Sequence, residues 1–340
     1  MIPFRSAGLP EVVPEKAMSE VYEKLKTPYK YGAVCIRDDE FTDSPSVFRL
    51  NGKWYMMYLT ISKDCDTSGY STWLSESDDL VNWKPMFSVL ERNGGNNWDS
   101  KQIAGYLGLT DIEWGRNNEP GKVKGSYLVS YLGGNFDGYE PVPLHIGLAY
   151  TNNLFDPKSY SRINHPILSP FDDDCREGER LAMYRSFIFE DSERVTGYPY
   201  VLAYNAKGKD YRERIFLAVS KDAINWMRYG NAPVLDGTVD NPDNKIVADG
   251  QIIKMGNLYV MVYFVLDYGK PAFSTFACSY DLVNWTPWRE KPLIEAEYPW
   301  ENEHAHKSWI VHHDGITYNY YCAVNSKNER FIALATSKEI

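Results

Sequence analysis

Five polar side chains occupy comparable places in this sequence, each just before or within a short apolar run: Asp43, Arg185, Asp249, His306 and Lys307. Carboxylates and imidazoles are the usual proton-transfer groups of active sites, and a nearby cation lowers the pKa of a carboxylate. If these side chains meet, one carboxylate can activate water or attack while another acid protonates a leaving oxygen. That combination is the chemistry of glycosidic bond cleavage.

Further candidates lie close to these positions in the sequence and offer a charge, an imidazole or an indole ring to a sugar: Asp99, His304, Glu303, Trp98 and Trp309. Each candidate has a structural alternative. The aspartates can cap turns, the arginine and lysine can form ion pairs, and the tryptophans can belong to the core. The chemical interpretation therefore depends on whether the fold brings these residues together.

The stretch from Asp43 to Tyr58 indicates which elements position them. Residues 46–50 and 54–58 are apolar and β-prone, and the Asn-Gly pair between them is a strong hairpin signal. A tyrosine shortly after a glycine marks this hairpin and four looser copies of it: Tyr55, Tyr127, Tyr200, Tyr259 and Tyr318. The sequence therefore contains repeats that fill residues 43–340.

Each repeat continues with a third strand that ends in Ser or Thr. Three of these strands lead into an Asp-X-X-Asn-Trp turn, which begins at Asp79, Asp222 or Asp281. A hairpin, a third strand and room for an outer strand are the content of one four-stranded propeller blade. We therefore predict an all-β fold, a five-bladed β-propeller with four-stranded blades. A β-sandwich with regular strand spacing is the alternative.

A propeller explains how polar residues far apart in sequence can meet. The innermost strand of each blade begins near the central axis, so the residues that start these strands converge at one mouth. The last repeat lacks an outer strand of its own, and residues 30–37 can supply one that closes the ring. Polar insertions at residues 91–119 and 169–180 would shape a pocket over one face, which favours exo action.

The N-terminal segment precedes the first repeat. Residues 14–26 have the pattern of a short amphipathic helix with Pro14 in its first turn, and Thr27-Pro28 ends it. We therefore divide the chain into an extension with a short helix, residues 1–27, and a catalytic propeller domain, residues 28–340.

Composition limits the classes of partner. Acidic residues number 46 against 36 basic ones, and no dense Lys/Arg cluster occurs, so we expect no nucleic-acid binding. No apolar run reaches the length of a membrane span. The five scattered cysteines predict buried thiols rather than disulfides or a zinc site. The N-terminus lacks the order of a signal peptide, so we expect a cytoplasmic protein, or a periplasmic or secreted one whose leader was removed.

An aspartate before the first inner strand of a five-bladed propeller resembles glycoside hydrolase families 43, 62, 117 and 130, and the similarity covers essentially residues 28–340. The resemblance to family 43 implies that Asp43 is the general base and that Asp249 stands in the place of the Glu that acts as general acid. It also implies that the anomeric configuration of the sugar is inverted. Arg185 stands where family 43 has a third carboxylate. The resemblance to family 117 implies that His304 or His306 can be the acid.

We therefore predict a glycosidase that cleaves a terminal linkage of an oligosaccharide, with Asp43 as base, Asp249 as acid or its modulator, and His306, Arg185 and Lys307 contacting the sugar. We expect no cofactor, although the resemblance also implies an axial metal ion or water near His306. Family 130 implies a first alternative, phosphorolysis, in which the cations and histidines hold phosphate. A non-catalytic carbohydrate-binding propeller is the second alternative, because the third repeat lacks the expected carboxylate.

Overall fold

The computed structural model describes residues 2–4, 8, 10–64, 67–92, 94–237, 245–267 and 269–340. These residues form β-strands and one α-helix, α1 (Glu15–Leu25), which confirms the predicted all-β class. The strands in chain order are β1 (Tyr29–Cys35), β2 (Glu40–Leu50), β3 (Lys53–Ser62), β4 (Ser71–Ser77), β5 (Lys84–Leu90), β6 (Gln102–Leu107), β7 (Tyr127–Gly134), β8 (His145–Thr151), β9 (Ser161–Arg162), β10 (Ala182–Glu190), β11 (Tyr200–Lys207), β12 (Glu213–Ser220), β13 (Met227–Tyr229), β14 (Ile246–Met255), β15 (Leu258–Leu266), β16 (Phe273–Ser279), β17 (Thr286–Pro287), β18 (His304–His313), β19 (Ile316–Val324) and β20 (Arg330–Thr336).

Hydrogen bonding arranges these strands into antiparallel groups of four that follow one another along the chain. The first group is β2–β5 and the second is β6–β9. The third group, β10–β13, and the fourth, β14–β17, are joined by one parallel pairing between Glu213 and Ile246. In the fifth group β18, β19 and β20 are completed by β1, which pairs antiparallel with β20. The N-terminal strand thus joins the last group, as the sequence predicts.

The first strands of these groups pack against one another. Strand β10 contacts β6 and β14, while β18 contacts β14 and β2. One residue from each of four first strands lies in the same buried apolar cluster: Val47, Phe187, Ile252 and Trp309. The indole N–H of Trp309 donates to the carbonyl oxygen of Val47 at 3.0 Å. The polar residues near the starts of these strands are therefore held close together.

Tight turns connect the first and second strands of the first, fourth and fifth groups. They contain Gly52, Gly256 and Gly315, each with a positive φ that L side chains rarely adopt. We call the end of the sheets at which β2, β6, β10, β14 and β18 begin the upper end, and the end with these turns the lower end. Because the strands are antiparallel, the connections between second and third strands return to the upper end.

Helix α1 confirms the predicted N-terminal helix, with Pro14 as its N-cap. Its apolar side packs onto the fourth group: Met18, Val21 and Leu25 are buried in one cluster with Val260. Among the described residues, no helix is long and apolar enough to span a bilayer.

Candidate active site

Four first strands carry a β-bulge near the upper end, where one strand contains extra residues relative to its partner. The pairing register shifts between Asp43 and Ser46, Met183 and Ser186, Ala248 and Gln251, and His306 and Trp309. Bulges bend a strand and re-aim its side chains, and they are common beside active sites. Three residues at these shifts, Ser44, Asp249 and Lys307, have positive φ angles of 47°, 59° and 57°. The backbone is therefore irregular where the predicted site residues occur.

The first of these bulges corrects the predicted hairpin. The sequence pattern starts the first strand at Ser46 and places Asp43 before it, whereas β2 already begins at Glu40. Pro45 has no N–H to donate and lies within the register shift, so the pattern of apolar residues is interrupted there. Asp43 is consequently a paired residue of β2 rather than a residue of the preceding loop.

A cavity of about 320 Å³ opens between these bulges at the upper end. Five residues selected from the sequence contribute to its wall: Arg185, Asp249, His304, His306 and Lys307. They come from the first strands of the third, fourth and fifth groups, as expected for residues that converge at one mouth. Asp43 is completely buried and contacts Lys307 and Arg330, two residues of the cavity wall.

Both carboxylate oxygens of Asp43 have close donors. Its Oδ2 lies 2.9 Å from Nζ of Lys307 and 2.7 Å from Nη1 of Arg330. Its Oδ1 accepts from the backbone N–H of Ser44 at 2.7 Å. Burial alone would raise the pKa of Asp43, but the charges of Lys307 and Arg330 outweigh it and hold the pKa well below its usual range. Asp43 is therefore an ionised anchor for two cations.

Arg330 extends this network to a loop, residues 135–144, that joins β7 to β8. Its Nη1 lies 2.5 Å from the hydroxyl oxygen of Tyr139, and its guanidinium lies 4.9 Å from the centre of that ring. The neighbouring Glu140 accepts a hydrogen bond from the hydroxyl of Tyr70 at 3.1 Å. Tyr70, Tyr139, Glu140 and Arg330 all contribute to the cavity wall. The network thus brings to the cavity the carboxylate of Glu140, which the sequence analysis does not predict.

A second such carboxylate is Glu213, the first residue of β12. Its Oε1 lies 3.0 Å from Nζ of Lys207, and its Oε2 accepts from Nδ2 of Asn205 at 2.9 Å. All three residues contribute to the cavity wall. Burial raises the pKa of Glu213 to about 7, against the opposing charge of Lys207, and the negative charges of Glu140 and Asp249 act in the same direction as burial. Glu213 is therefore able to exchange a proton near neutral pH.

Asp249 and Arg185 form a loose pair in the same cavity. Oδ2 of Asp249 lies 3.7 Å from Nη1 of Arg185, and burial raises the pKa of Asp249 although Lys307 and Arg185 oppose the shift. Arg185 is 2% exposed, and its Nη2 donates to the carbonyl of Pro45 at 3.1 Å. Its Nε and Nη1 have no hydrogen-bond acceptor among the described residues. A buried guanidinium with unused donors is suited to bind a polar ligand.

The two histidines differ in their ring contacts. Nδ1 of His306 lies 3.2 Å from the carbonyl oxygen of Cys322, which can only accept, so Nδ1 carries the proton and Nε2 is the basic nitrogen. Nδ1 of His304 accepts from the backbone N–H of Ala272 at 3.0 Å. Burial, followed by the charge of Lys307, lowers the pKa of His306 well below its usual range. His306 is therefore neutral at ordinary pH.

These contacts bear on the axial metal ion that the family resemblance implies. No group of three or more His, Cys, Asp or Glu side chains in the described part of the protein is arranged to hold a metal ion. The side chains nearest His306 include the cation Lys307, which repels a second cation. The residues present therefore do not fit a resident metal ion. The axial water near His306 stays a prediction.

The remaining selected residues do not contribute to the cavity wall. Asp99 is buried before β6, where it accepts from the hydroxyl of Tyr131 at 2.9 Å and lies 3.1 Å from Nη1 of Arg162. Trp98 stacks on Tyr131. Glu303 is exposed, and Trp309 is buried in the core beneath Arg185, with its ring centre 5.2 Å from the guanidinium. Strands β6 and β7 of the second group contribute Ala104, Tyr106 and Leu132 to the wall instead.

The sequence contains a pattern that predicts Glu213 and Arg330 as site residues. The third strands end with Ser or Thr next to the Asp-X-X-Asn-Trp turns, so their first residues must lie at the other end of the sheet. Glu213 and Arg330 are the first residues of β12 and β20, and both reach the cavity. Because third strands also begin at the upper end, a search that includes them alongside the first strands selects both residues.

Neither a protein-family model nor a curated protein sequence matches this protein. Solved structures do match it. The protein BT0996, solved as a complex with RGII, is 40% identical with a TM-score of 0.91, and the match covers 97% of both proteins. A protein described as "Glycoside hydrolase" has the same identity, coverage and TM-score. A thermostable family-43 glycoside hydrolase is 15% identical with a TM-score of 0.64, covering 90% of this protein and 92% of that one, and therefore shares the fold.

Proposed function

Since this protein belongs to the glycoside hydrolases, we propose that its upper-end cavity hydrolyses a terminal glycosidic linkage of an oligosaccharide. The family membership confirms the glycosidase predicted from the sequence and gives no support to a non-catalytic binding protein. The residue roles, the exo mode of action and the stereochemistry are parts of the proposal.

One observation carries the proposal: Glu213 lies in the cavity wall with a pKa raised to about 7. A general acid must be protonated at the working pH and still release its proton, so catalytic carboxyls are commonly tuned to this range. The contacts with Nδ2 of Asn205 and Nζ of Lys207 hold the carboxyl group in place. We assign Glu213 as the acid that protonates the leaving oxygen while the glycosidic bond breaks.

Glu140 is our candidate for the second carboxylate. It is half-buried at the cavity wall, on a loop of the second group, while Glu213 belongs to the third group. The hydroxyl of Tyr70 donates to one of its oxygens and holds the side chain in place. As the base, Glu140 takes a proton from the water that attacks the anomeric carbon, and the leaving oxygen receives its proton from Glu213.

This assignment gives Asp43 a different role from the one predicted from the sequence, and of the two roles predicted for Asp249 it keeps that of modulator. Asp43 has close donors at both oxygens and no exposed surface, so we propose that it positions Lys307 and Arg330. Asp249 has a raised pKa, and its charge acts on Glu213, so we propose that it modulates the acid. The sequence-based assignment of Asp43 as base stays a prediction, which the Asp43→Asn variant tests.

The substrate class is proposed from BT0996, the relative solved as a complex with RGII. We propose that the present protein acts on an oligosaccharide of the same kind. The unused donors of Arg185, together with Lys307, would bind hydroxyl groups of the terminal sugar. A confined cavity of this size accepts the end of an oligosaccharide more readily than the middle of a polymer, which favours exo action.

The direct test is incubation of the purified protein with RGII oligosaccharides, with released sugars separated by chromatography. We expect one monosaccharide product and a matching shortened oligosaccharide. The Glu213→Gln protein should release product about 10²–10⁴-fold more slowly, the range for loss of a general acid. Glu190→Gln is the matched control, because Glu190 is exposed at the lower end of β10. Equal rates for wild type and Glu213→Gln would refute the assignment of the acid.

Proton NMR of the first minutes of the same reaction tests the stereochemistry. The family resemblance implies inversion, so the first sugar released should have the opposite anomeric configuration to the linkage cleaved. Release of the same anomer would instead make Glu140 a nucleophile. Either result leaves the role of Glu213 as acid in place.

Phosphorolysis is the second candidate, and the cations of the cavity are the observation that favours it. Arg185 has donors without acceptors among the described residues, and Lys307, Lys207 and Arg330 lie in the same wall. An oxyanion such as phosphate is a natural partner for such groups. Product formation that depends on added phosphate, with a sugar phosphate as product, would establish phosphorolysis and overturn hydrolysis.

We also propose that the five groups of four strands are the blades of a propeller formed by residues 28–340, with residues 1–27 as an N-terminal extension. The order of the groups along the chain, the contacts between their first strands and the pairing of β1 with β20 support this arrangement. Deletion of residues 1–27 tests the domain boundary. Because Leu25 and Val21 are buried against the fourth group, we expect the shortened protein to unfold at a lower temperature while keeping its site.

A further inference from the structure

Among the described residues, three aromatic side chains on loops at the upper end are more than half exposed: Phe136 at 52%, Phe171 at 71% and Tyr211 at 65%. We call these three residues the aromatic rim. Single exposed apolar residues are ordinary on protein surfaces, but grouped ones commonly mark a binding surface. The position of the aromatic rim relative to the cavity therefore decides whether it has a function.

Tyr211 and Phe136 adjoin the cavity through the polypeptide itself. Tyr211 belongs to the turn between β11 and β12. Lys207 ends β11 and Glu213 begins β12, and both contribute to the cavity wall. Phe136 is in the loop that presents Tyr139 to the same wall. That loop is fixed, because Nε2 of Gln102 donates to the carbonyl of Phe136 at 2.8 Å. Both rings are thus attached to elements that build the proposed active site.

Phe171 is held in place by a short series of contacts. Its backbone N–H donates to the hydroxyl of Ser169 at 3.1 Å, and that hydroxyl lies 3.0 Å from Nδ1 of His145. The ring of Phe171 meets the ring of His145 edge-on, with 5.7 Å between the ring centres. The Phe171 ring is therefore oriented although it is exposed. A fixed ring loses little conformational freedom when a ligand covers it.

The cavity is small compared with an oligosaccharide. A volume of about 320 Å³ is at the lower limit of small-molecule sites, which span about 300–1,000 Å³. An oligosaccharide with its terminal sugar in this cavity must continue over the upper end. The sugars beyond the cleaved bond would then meet the loops that carry the aromatic rim. Aromatic rings offer a flat apolar face with high contact area, which suits the C–H face of a pyranose or furanose ring.

We propose that the aromatic rim binds the sugar residues of the substrate that lie beyond the cleaved bond. The enzyme thereby selects an oligosaccharide over a disaccharide with the same terminal linkage. This inference rests on the proposed function, because it takes the cavity as the site of the terminal sugar.

Isothermal titration calorimetry on the Glu213→Gln protein, which should bind without cleaving, tests the proposal. The two ligands are an RGII oligosaccharide and its terminal disaccharide. We expect the oligosaccharide to bind at least tenfold more tightly, and we expect Phe171→Ala together with Tyr211→Ala to remove most of that preference. Tyr150→Ala is the matched control, because Tyr150 is 44% exposed towards the lower end of β8.

Three outcomes would overturn the inference: equal affinity for the two ligands with the aromatic rim intact, an unchanged preference in the double variant, or no binding of either ligand. The absence of binding would also contradict the proposal that RGII oligosaccharides are substrates. Rim-dependent binding combined with a wild-type protein that cleaves nothing would overturn only the proposed hydrolysis. The failure of the inference and that of the proposed function are therefore distinguishable.

Discussion

The upper and lower ends of the same sheets are built in contrasting ways. At the lower end the aspartates of the Asp-X-X-Asn-Trp turns are satisfied by residues a few positions away. At the upper end the buried carboxylate of Asp43 has partners from the last group of strands, hundreds of residues distant. The comparison shows which part of a repeated fold serves the fold itself and which part is available for chemistry.

The lower end repeats one local solution. In the turn at Asp281, Oδ1 accepts from the backbone N–H groups of Val283 and Asn284 at 2.9 and 2.8 Å, and Oδ2 accepts from the amide of Asn284 at 2.7 Å. The turns at Asp79 and Asp222 contain the same set of bonds. Burial opposes ionisation, but the amide donors outweigh it and lower the pKa of Asp79 to about 2. The carboxylate of each turn is therefore satisfied within the turn itself.

The cluster around Asp43 at the upper end depends on long-range contacts between charges. Asp43 is separated by 264 residues from Lys307 and by 287 from Arg330, and all three are largely or completely removed from solvent. Buried charges are costly unless paired, and a bulge with positive φ adds strain. Sites of catalysis and binding commonly retain such costs because the geometry is needed there. The contrast between the two ends therefore supports an active site at the upper end, and variants at each end can test it.

Removal of the Glu140 carboxylate should have the largest effect on activity. Glu140→Gln keeps the size of the side chain and the hydrogen bond from Tyr70 but removes the base, so we expect kcat/KM to fall about 10²–10⁴-fold. The unfolding temperature should stay close to that of the wild type, because the side chain is only half-buried. Near-normal turnover by this variant would exclude Glu140 and return the role of base to another carboxylate.

Asp43→Asn separates the two assignments of the base. If Asp43 positions two cations, its loss leaves Lys307 and Arg330 buried without their shared anion, and the free energy of unfolding should fall by about 3–5 kcal/mol. Activity should fall as well, because Arg330 bonds to Tyr139 and its movement would displace the loop of residues 135–144. Urea unfolding and kinetics are measured together. A variant with wild-type stability and no activity would favour the sequence-based assignment of Asp43 as base.

The same contrast explains how much the sequence could reveal. The Asn51-Gly52 hairpin, the Asp79-type turns and the pairing of residues near position 30 with the last strand follow from local patterns, and the structure contains all of them. The placement of Arg185, Asp249 and Lys307 at one cavity followed from the repeats, because equivalent positions converge. These predictions needed only the period of the pattern and the direction of each strand.

The rest of the site depends on information that the repeats do not contain. Glu140 reaches the cavity through a loop whose path is set by Tyr70, Gln102 and Arg330, and none of these contacts leaves a pattern in the local sequence. Asp99 has the right residue type before a first strand, yet it pairs with Arg162 instead. Long-range packing decides both cases.

Lys207→Met should change the pH dependence of activity without removing it. The acid Glu213 must be protonated, so kcat/KM should fall as pH rises through its pKa of about 7. The charge of Lys207 favours the ionised form and lowers that pKa, so its removal should move the alkaline limb to higher pH, by about one unit. Lys209→Met, two positions away and exposed, is the control. An unchanged alkaline limb of the kcat/KM profile would show that a group other than Glu213 determines it.

A lower-end variant should alter stability and leave the site intact. Asp281→Ala leaves the backbone N–H groups of Val283 and Asn284 without their acceptor, so the free energy of unfolding should decrease by about 2 kcal/mol. We expect kcat and KM to match those of the wild type, because the turn lies at the end of the sheets away from the cavity. Urea denaturation and steady-state kinetics measure the two effects. A clear change in kcat would show that the ends are coupled.

The smallest effect is expected from Gly52→Ala, which changes only the conformational freedom of the backbone. Gly52 has a φ of 83°, and a Cβ added there would meet no atom within 4 Å, so Gly52→Ala should cost only the strain of a positive φ, about 1 kcal/mol. Gly69, in an upper-end connection, differs: its added Cβ would lie 2.1 Å from the backbone oxygen of Lys101. Gly69→Ala must therefore displace packed backbone and should be the more damaging of the two in thermal unfolding. Equal losses in the two variants would contradict the expectation that Gly69, unlike Gly52, is packed closely against the backbone of another group.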